Sequence, residues 1–483
     1  MTTTSSAGGR RHVGRTLFGI CVGHALEWYD WGIYTIFVPF FAGQFFPGDA
    51  AGSAVLSGLA VFAVGFVARP LGGLLVGRLA DRVGRRPMMS LTVGGMAAAS
   101  LLIGVAPTYA TAGVGASLIL LSCRVLQGLA TGGELPSAQT YLSEQAPARR
   151  RGLWSSLIYI ASVGGNAVGV LLGLVLSLTL SHEDMLAYGW RIPFVVGGVL
   201  GVVALWVRRS LTESAAFVKE QEQERERERE QEEEREEEGE QRGERPTREQ
   251  PFWADLVRHR RAALQVVGMS VGPTVVYYAW VIAAPAYAIT ERHLDSTAAL
   301  LAGVLSSLVL IAVLPLWGAL SDRVGRRPVM LISHLGTAAT LFPLQALDLG
   351  NAVQLGLAMS LAMVFIGAGV SILPAAYAEM FPTRIRTAGL AVPYSVAVAA
   401  FGGTAPYLQT WVGQMFGPAF FTGYVVLLLL VSAVTVLTLG EGRGTDLSAL
   451  GQEGRADQAD QEDQADEATI RKAEVHDPAR HAG

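Results

Sequence analysis

Charge is scarce in this sequence: Asp, Glu, Lys and Arg make up 16% of the 483 residues, against roughly 25% in soluble globular chains. That deficit, beside a hydrophobic content of 51%, excludes an ordinary water-soluble enzyme. Cysteine is nearly absent. Cys21 and Cys123 both lie in apolar runs, so there is no disulfide framework and no metal-ligand spacing. No Gly-x-x-x-x-Gly-Lys phosphate loop occurs and no Ser/His/Asp arrangement rises above chance, so neither an enzyme nor a cofactor is expected. The charge that is present is confined. Residues 219–250 hold fifteen Glu, seven Arg and one Lys, and the tail is again acidic. The net charge of -4 arises in those tracts and implies no nucleic-acid partner.

What remains is apolar and long. About 20 apolar residues cross a bilayer as a helix, and such runs lie near 17–42, 54–77, 88–106, 114–138, 153–178 and 189–207. Six more lie near 263–289, 298–320, 329–347, 353–378, 387–412 and 417–439. The first is no cleaved leader, since it is too long and contains Glu27 and Asp30. Arginines occupy alternate loops: Arg78, Arg82, Arg85 and Arg86; Arg149 to Arg151; Arg323, Arg326 and Arg327; Arg384 and Arg386. Short cytoplasmic loops carry such an excess, which predicts a multi-pass cell-membrane protein with both termini in the cytoplasm. Arg191 and Arg292 are the exceptions on the opposite side.

The chain repeats itself. Gly77-Arg-Leu-Ala-Asp81-Arg-Val-Gly84-Arg-Arg-Pro87 after the second run returns as Gly318-Ala-Leu-Ser-Asp322-Arg-Val-Gly325-Arg-Arg-Pro328 after the eighth. Glu144-x-x-Pro147-x-Arg149 returns as Glu379-x-x-Pro382-x-Arg384. An all-α membrane fold of twelve helices in two six-helix halves follows, with a site near the midplane between them. The expected divisions are an N-terminus at 1–16, halves at 17–207 and 263–439, a charged linker at 208–262 and a disordered tail at 440–483. The Asp-Arg-x-Gly-Arg-Arg loops resemble the signature of the major facilitator superfamily. That resemblance implies gating by Asp81, Arg85, Asp322, Arg326, Glu144, Arg149, Glu379 and Arg384, with no contact to substrate.

A narrower resemblance rests on Gly23-His-Ala-Leu-Glu27-Trp-Tyr-Asp30-Trp-Gly, Ala68-Arg69-Pro70, Arg124-Val-Leu-Gln127-Gly128, Gly132-Gly133-Glu134 and Gly189-Trp190-Arg191-Ile-Pro193-Phe. These are similar to the metabolite:proton symporter family. Trp190 to Leu211 and Ala378 to Tyr407 are most similar to its 2-oxoglutarate-carrying branch. The resemblance implies proton-driven uptake of a small organic acid or zwitterion. The chain departs from that branch at Leu135-Pro136, which leaves the substrate open among 2-oxoglutarate, citrate, shikimate-like acids, aromatic acids and betaines.

Ionisable residues inside a membrane cost about 2.5–3.5 kcal/mol each on the mildest scale and mark function. They are Glu27, Asp30, Arg69, Arg124 and Glu134, with His24 one turn from Glu27. The central parts of the last six runs contain no Asp, Glu, Lys or Arg, only His334 and neutral polar residues. Glu27 and Asp30 share a helix face, and with Glu134 they are the proton-coupling candidates. Arg69 and Arg124, which cannot lose their protons, suit a substrate carboxylate. Tyr278, Tyr394 and Asn166 are the polar candidates for the rest of the site, with helix packing as the alternative for each. A static ion-pair cluster is the alternative for the charges.

The Glu/Arg alternation of Glu224 to Glu230 and its neighbours has no apolar stripe, and reads as a solvated helical extension or passive linker. A drug exporter is disfavoured by two buried arginines. A membrane sensor signalling through 219–250 is the remaining rival. The expected partners are a small organic acid, protons and the lipid bilayer, and the protein is expected to be monomeric.

Overall fold

The computed structural model describes residues 5–48, 52–83, 85–132, 134–210, 259–346, 351–382 and 385–447. The insert at 219–250 and the tail beyond Leu447 lie outside them. Twelve helical runs of membrane length follow one another among the described residues. In the first half these are α1 (Ser5–Phe45), α2 (Ser53–Val83), α3 (Arg85–Val105), α4 (Val114–Thr131, resuming as Glu134–Gln145), α5 (Arg151–Thr179) and α6 (Arg191–Ser210). In the second they are α7 (Arg260–Val276, with Tyr277–Ile282 and Ala284–Glu291), α8 (Ser296–Val324), α9 (Arg326–Ala346), α10 (Ala352–Val370, resuming as Leu373–Ala378), α11 (Arg386–Ala397, with Val398–Gly402 and Ala405–Phe416) and α12 (Pro418–Leu437).

Seven of these runs are long and apolar enough to cross by themselves, and an eighth crossing bends by 43° between His182–Gly189 and Arg191–Trp206. Of the other four, α3 has only a short apolar stretch, Ser90–Val105, and the rest are diluted by polar residues or broken. Glu27 and Asp30 lie in α1, His334 and Gln345 in α9, and α11 is interrupted. The breaks have local causes. Proline removes a backbone donor and disturbs the preceding turn, and both α7 and α11 widen into a π-helical turn just ahead of one, Tyr277–Ile282 before Pro285 and Val398–Gly402 before Pro406. Both α4 and α10 resume at a Leu-Pro step, Leu135-Pro136 and Leu373-Pro374.

Lipid offers no hydrophobic drive between helices, so small residues at close crossings do much of the packing. A Cβ on Gly165 of α5 would lie 1.9 Å from the Ala25 carbonyl oxygen of α1. On Gly128 and Gly132 of α4 it would lie 2.0 Å from the carbonyl oxygens of Gly65 and Arg69 on α2. The halves themselves meet most closely where α5 crosses α8, with Gly152 and Gly318 backbone to backbone. These crossings bring α1, α2 and α4 together, and with them the buried charges Glu27, Asp30, Arg69 and Arg124. Arg191 is also accounted for. Its guanidinium donates to the carbonyls of Gly104 (3.0 Å) and Ala106 (2.7 Å), closing the end of α3.

Candidate functional site

At the centre of the first half two carboxylates face two arginines. Glu27 Oε1 is 3.5 Å from Arg69 Nη2, and Asp30 Oδ2 is 3.8 Å from Arg124 Nη1. All four are buried, at 2%, 4%, 7% and 0% exposure for Glu27, Asp30, Arg69 and Arg124. Their formal charges therefore have to cancel inside the cluster. The two pairs differ in support. Asp30 is fully engaged: Gln127 Nε2 donates at 2.6 Å, Ser100 Oγ donates to the other oxygen, and Gln127 also reaches Ser100 at 3.0 Å. Glu27 is held loosely. His24 Nδ1 lies 3.5 Å away, and His24 itself accepts from Trp28 Nε1 at 2.9 Å.

The arginines rest on rings rather than on acceptors. Arg69 stacks 4.2 Å from the Trp31 centroid and 4.1 Å from that of Phe66; Arg124 lies 3.9 Å from Tyr34 and 5.5 Å from Trp31. Such stacking contributes about 2 kcal/mol each when desolvated. It leaves Arg69 Nε and Nη2 and Arg124 Nε, Nη1 and Nη2 buried without a hydrogen-bond acceptor. Unmet buried donors cost about 1–3 kcal/mol each. An arrangement that keeps five of them is suited to receive an anion.

The second half closes over this cluster. Tyr278 stands on the wide turn of α7, its hydroxyl against Arg69 and its ring 5.1 Å from Phe66. Tyr394 of α11 bonds Tyr159 of α5 and is within charge range of Arg69 and Glu27. Both sequence-derived tyrosines thus meet the charge cluster. Asn166 is elsewhere in the seam: its amide donates to the Val281 carbonyl at 3.3 Å and its oxygen abuts Gly32, tying α1, α5 and α7 together. The Glu134 side chain lies outside the described residues.

A second cluster shuts the arginine-rich end. Glu379 of α10's loop takes Arg151 of α5 at 2.9 Å and Arg326 of α9 at 3.2 Å. Asp322 pairs with Arg326 at 2.8 Å and accepts from the backbone amides of Gly152 (2.8 Å) and Leu153 (2.9 Å), capping α5 from the other half. Arg386 reaches Glu144 at 2.6 Å. The two Glu/Arg links are reciprocal, each half's arginine taking the other half's glutamate. Residues 441–447, expected as the start of a disordered tail, are part of this closure: Glu441 accepts from the amides of Arg326 (2.7 Å) and Arg327 (3.2 Å), and the Thr445 carbonyl accepts from Arg151 at 3.1 Å. At the opposite end a crevice opens between the halves, lined by Thr35, Pro39 and Leu59 on one side and Ala286, Thr290 and Thr410 on the other.

Of the expected gating residues, Asp322, Arg326, Glu144 and Glu379 stand in the closure. Arg149 does not; it is exposed on the turn before α5, and Arg151 occupies the gate. Arg384 and the side chains of Asp81 and Arg85 lie outside the described residues. Arg151 and Arg386 were missed by sequence reasoning, although the repeat extends to them as Glu-x-x-Pro-x-Arg-x-Arg. Gln127 was missed as well, and its spacing of three from Arg124 places both on one helix face. Ser100 carried no signal.

Comparison with known proteins agrees with this architecture. Residues 16–453 match the family model described as sugar (and other) transporter. The alpha-ketoglutarate permease of Escherichia coli (strain K12) is 34% identical over 439 residues, covering 89% of this chain and 95% of that protein. The proline/betaine transporter of Salmonella typhimurium is 31% identical over 430 residues, covering 87% and 82%. Among solved structures, a D-xylose-proton symporter superposes with a TM-score of 0.67 at 18% identity, covering 90% of this chain and all of that one.

Proposed function

The chain belongs to the sugar (and other) transporter family, within the major facilitator superfamily, and from that premise we propose that it is a proton-coupled symporter of a small organic acid. The observation that carries the substrate class is the set of five buried guanidinium nitrogens without acceptors on Arg69 and Arg124. A guanidinium takes a carboxylate through two parallel bonds. Two of them on one indole, that of Trp31, suit a molecule with two carboxylates, such as 2-oxoglutarate.

Coupling follows from charge balance. With Glu27 against Arg69 and Asp30 against Arg124 the cluster is neutral. A dianion entering alone would leave two negative charges unbalanced near the midplane. A proton on each carboxylate restores neutrality and frees both arginines for the substrate. Glu134 is the third coupling carboxylate, and Tyr278 and Tyr394 orient the substrate from the second half. The ion pairs across the arginine-rich end and the crevice at the other support a cycle of alternating access. That end is assigned to the cytoplasm, and the protein to the cell membrane.

A zwitterion such as proline or betaine is the second reading, favoured by the names of several relatives. A quaternary ammonium needs free aromatic faces, and Arg69 already covers those of Trp31 and Phe66. The test is uptake of labelled 2-oxoglutarate into proteoliposomes with and without an inward proton gradient, competed by citrate, proline and betaine. Gradient-dependent uptake displaced by dicarboxylates is the expected result. Displacement by proline or betaine alone would replace the acid with a zwitterion.

A further inference from the structure

We propose that the second half carries a separate small-molecule site, for a hydroxylated aromatic carboxylate, between α7, α9, α11 and α12. The two halves provide an internal comparison. Where α1 meets α6, the outer end of the first half is filled with rings: Phe41 and Phe45 each lie 5.6 Å from Trp190, which lies 6.3 Å from Phe194. Where α7 meets α12, the equivalent junction of the second half sets Ala284, Ala288 and Thr422 among its rings, Trp280, Tyr287 and Phe421. A cavity of about 80 Å³ remains there. Close packing is the rule in protein interiors, so a gap in one half of a duplicated fold is a departure from its own template.

The lining specifies the occupant. Trp280, Tyr287 and Phe421 form an aromatic wall, which takes a flat ring. Gln345 and Gln409 both line the cavity, and the Oε1 atom of each is buried with no hydrogen-bond partner. Hydrocarbon would leave both acceptors unmet; a hydroxyl donor satisfies one. Arg292 stands at the rim beside Tyr287, partly open to solvent, where it meets a carboxylate. At about 10–15 Å³ of such space for each water-sized group, the cavity holds roughly five to eight non-hydrogen atoms. A phenol ring fits inside, with its carboxylate outside on Arg292. An acyl chain is too long and offers no donor.

The test is calorimetric titration of the full-length, detergent-solubilised protein with para-hydroxybenzoate, benzoate, phenol and dodecanoate as probes. The expected order is para-hydroxybenzoate tightest, with benzoate and phenol each at least about 10-fold weaker, since each leaves one polar group of the site unpaired. Ala288→Phe and Thr422→Trp fill the cavity from two different helices and each abolish binding. Should Ala288→Phe fail to fold, Thr422→Trp on the half-buried face of α12 decides alone. Arg292→Gln weakens para-hydroxybenzoate to the level of phenol. Arg69→Gln, which dismantles the central cluster, leaves this binding intact. Binding that survives both filling variants, that is lost in Arg69→Gln, or that favours dodecanoate overturns the proposal, as does the absence of heat with all four probes.

Discussion

Neutralising Glu379 should open the arginine-rich end without unfolding the protein. Its carboxylate is the one group that holds Arg151 of the first half and Arg326 of the second together, at 2.9 and 3.2 Å. In Glu379→Gln, Arg326 keeps Asp322 at 2.8 Å, whereas Arg151 keeps only uncharged acceptors, the carbonyls of Ser143 and Thr445 and the amide oxygen that the substitution leaves. Arg151 is 3% exposed, so the closed state then contains an uncompensated buried cation, while an opened state hydrates it. Removing one partner of a buried pair costs about 3–5 kcal/mol. The carbonyls put Arg151 at the lower end of that range, and about 3 kcal/mol is a factor of roughly 10² in the closed-to-open ratio. Ser143 is the reporter, being fully buried with its hydroxyl donating to the Pro374 carbonyl of the other half at 3.1 Å. In a background with Cys21 and Cys123 changed to serine, maleimide labelling of Ser143→Cys tracks the open population when opening is fast relative to labelling. The expected result is labelling about 10²-fold faster in Glu379→Gln, with the exposed control Glu183→Gln unchanged. Labelling within threefold of the parent, or a lower melting temperature with unchanged labelling, would refute the reasoning.

Other outcomes follow from the same geometry. Glu441→Ala removes the acceptor for the first amides of α9; both partners lie in the second half, so the lost cap, about 1 kcal/mol, should lower the melting temperature and leave Ser143→Cys labelling unchanged. Gly165→Ala drives a methyl to within 1.9 Å of a backbone oxygen, whereas the neighbouring Gly164 has open space. Overpacking costs about 1–3 kcal/mol, so Gly165→Ala should lower the melting temperature and Gly164→Ala should not. Arg124→Lys keeps the charge but loses the planar fork stacked on Tyr34, and proteoliposome uptake should fall at least tenfold. Glu27→Gln removes one of the coupled protons while Asp30 keeps its own, so substrate exchange across the membrane should persist while accumulation driven by a proton gradient falls.

Much of this site was readable before any fold was known, for a physical reason. Glu27, Asp30, Arg69 and Arg124 stand out because an ion in an apolar run is costly wherever the helix packs. Tyr278 and Tyr394 were weaker inferences, since aromatic residues at helical spacing serve packing equally well; the bond to Arg69 separates Tyr278 from the rest, and Tyr394 bonds Tyr159 across the halves. Asn166 had the same ambiguity, and its bond to Val281 places it in the helix seam. Arg149 was preferred to Arg151 because both follow Glu144 within one turn-rich loop, and only the direction in which α5 leaves that loop decides which side chain meets the other half.

The sequence by itself determined the number of spans, the duplication and the concentration of charge in one half. Hydropathy, cation bias and internal repetition are properties of each segment toward its solvent, and the bilayer reads them segment by segment. The tertiary structure alone decided the partners. That Glu379 takes Arg151 while Glu144 takes Arg386, and that the junction of α7 and α12 is hollow where that of α1 and α6 is full, depends on how two six-helix units meet and fill space. Contacts between residues hundreds of positions apart have no spacing along the chain to betray them.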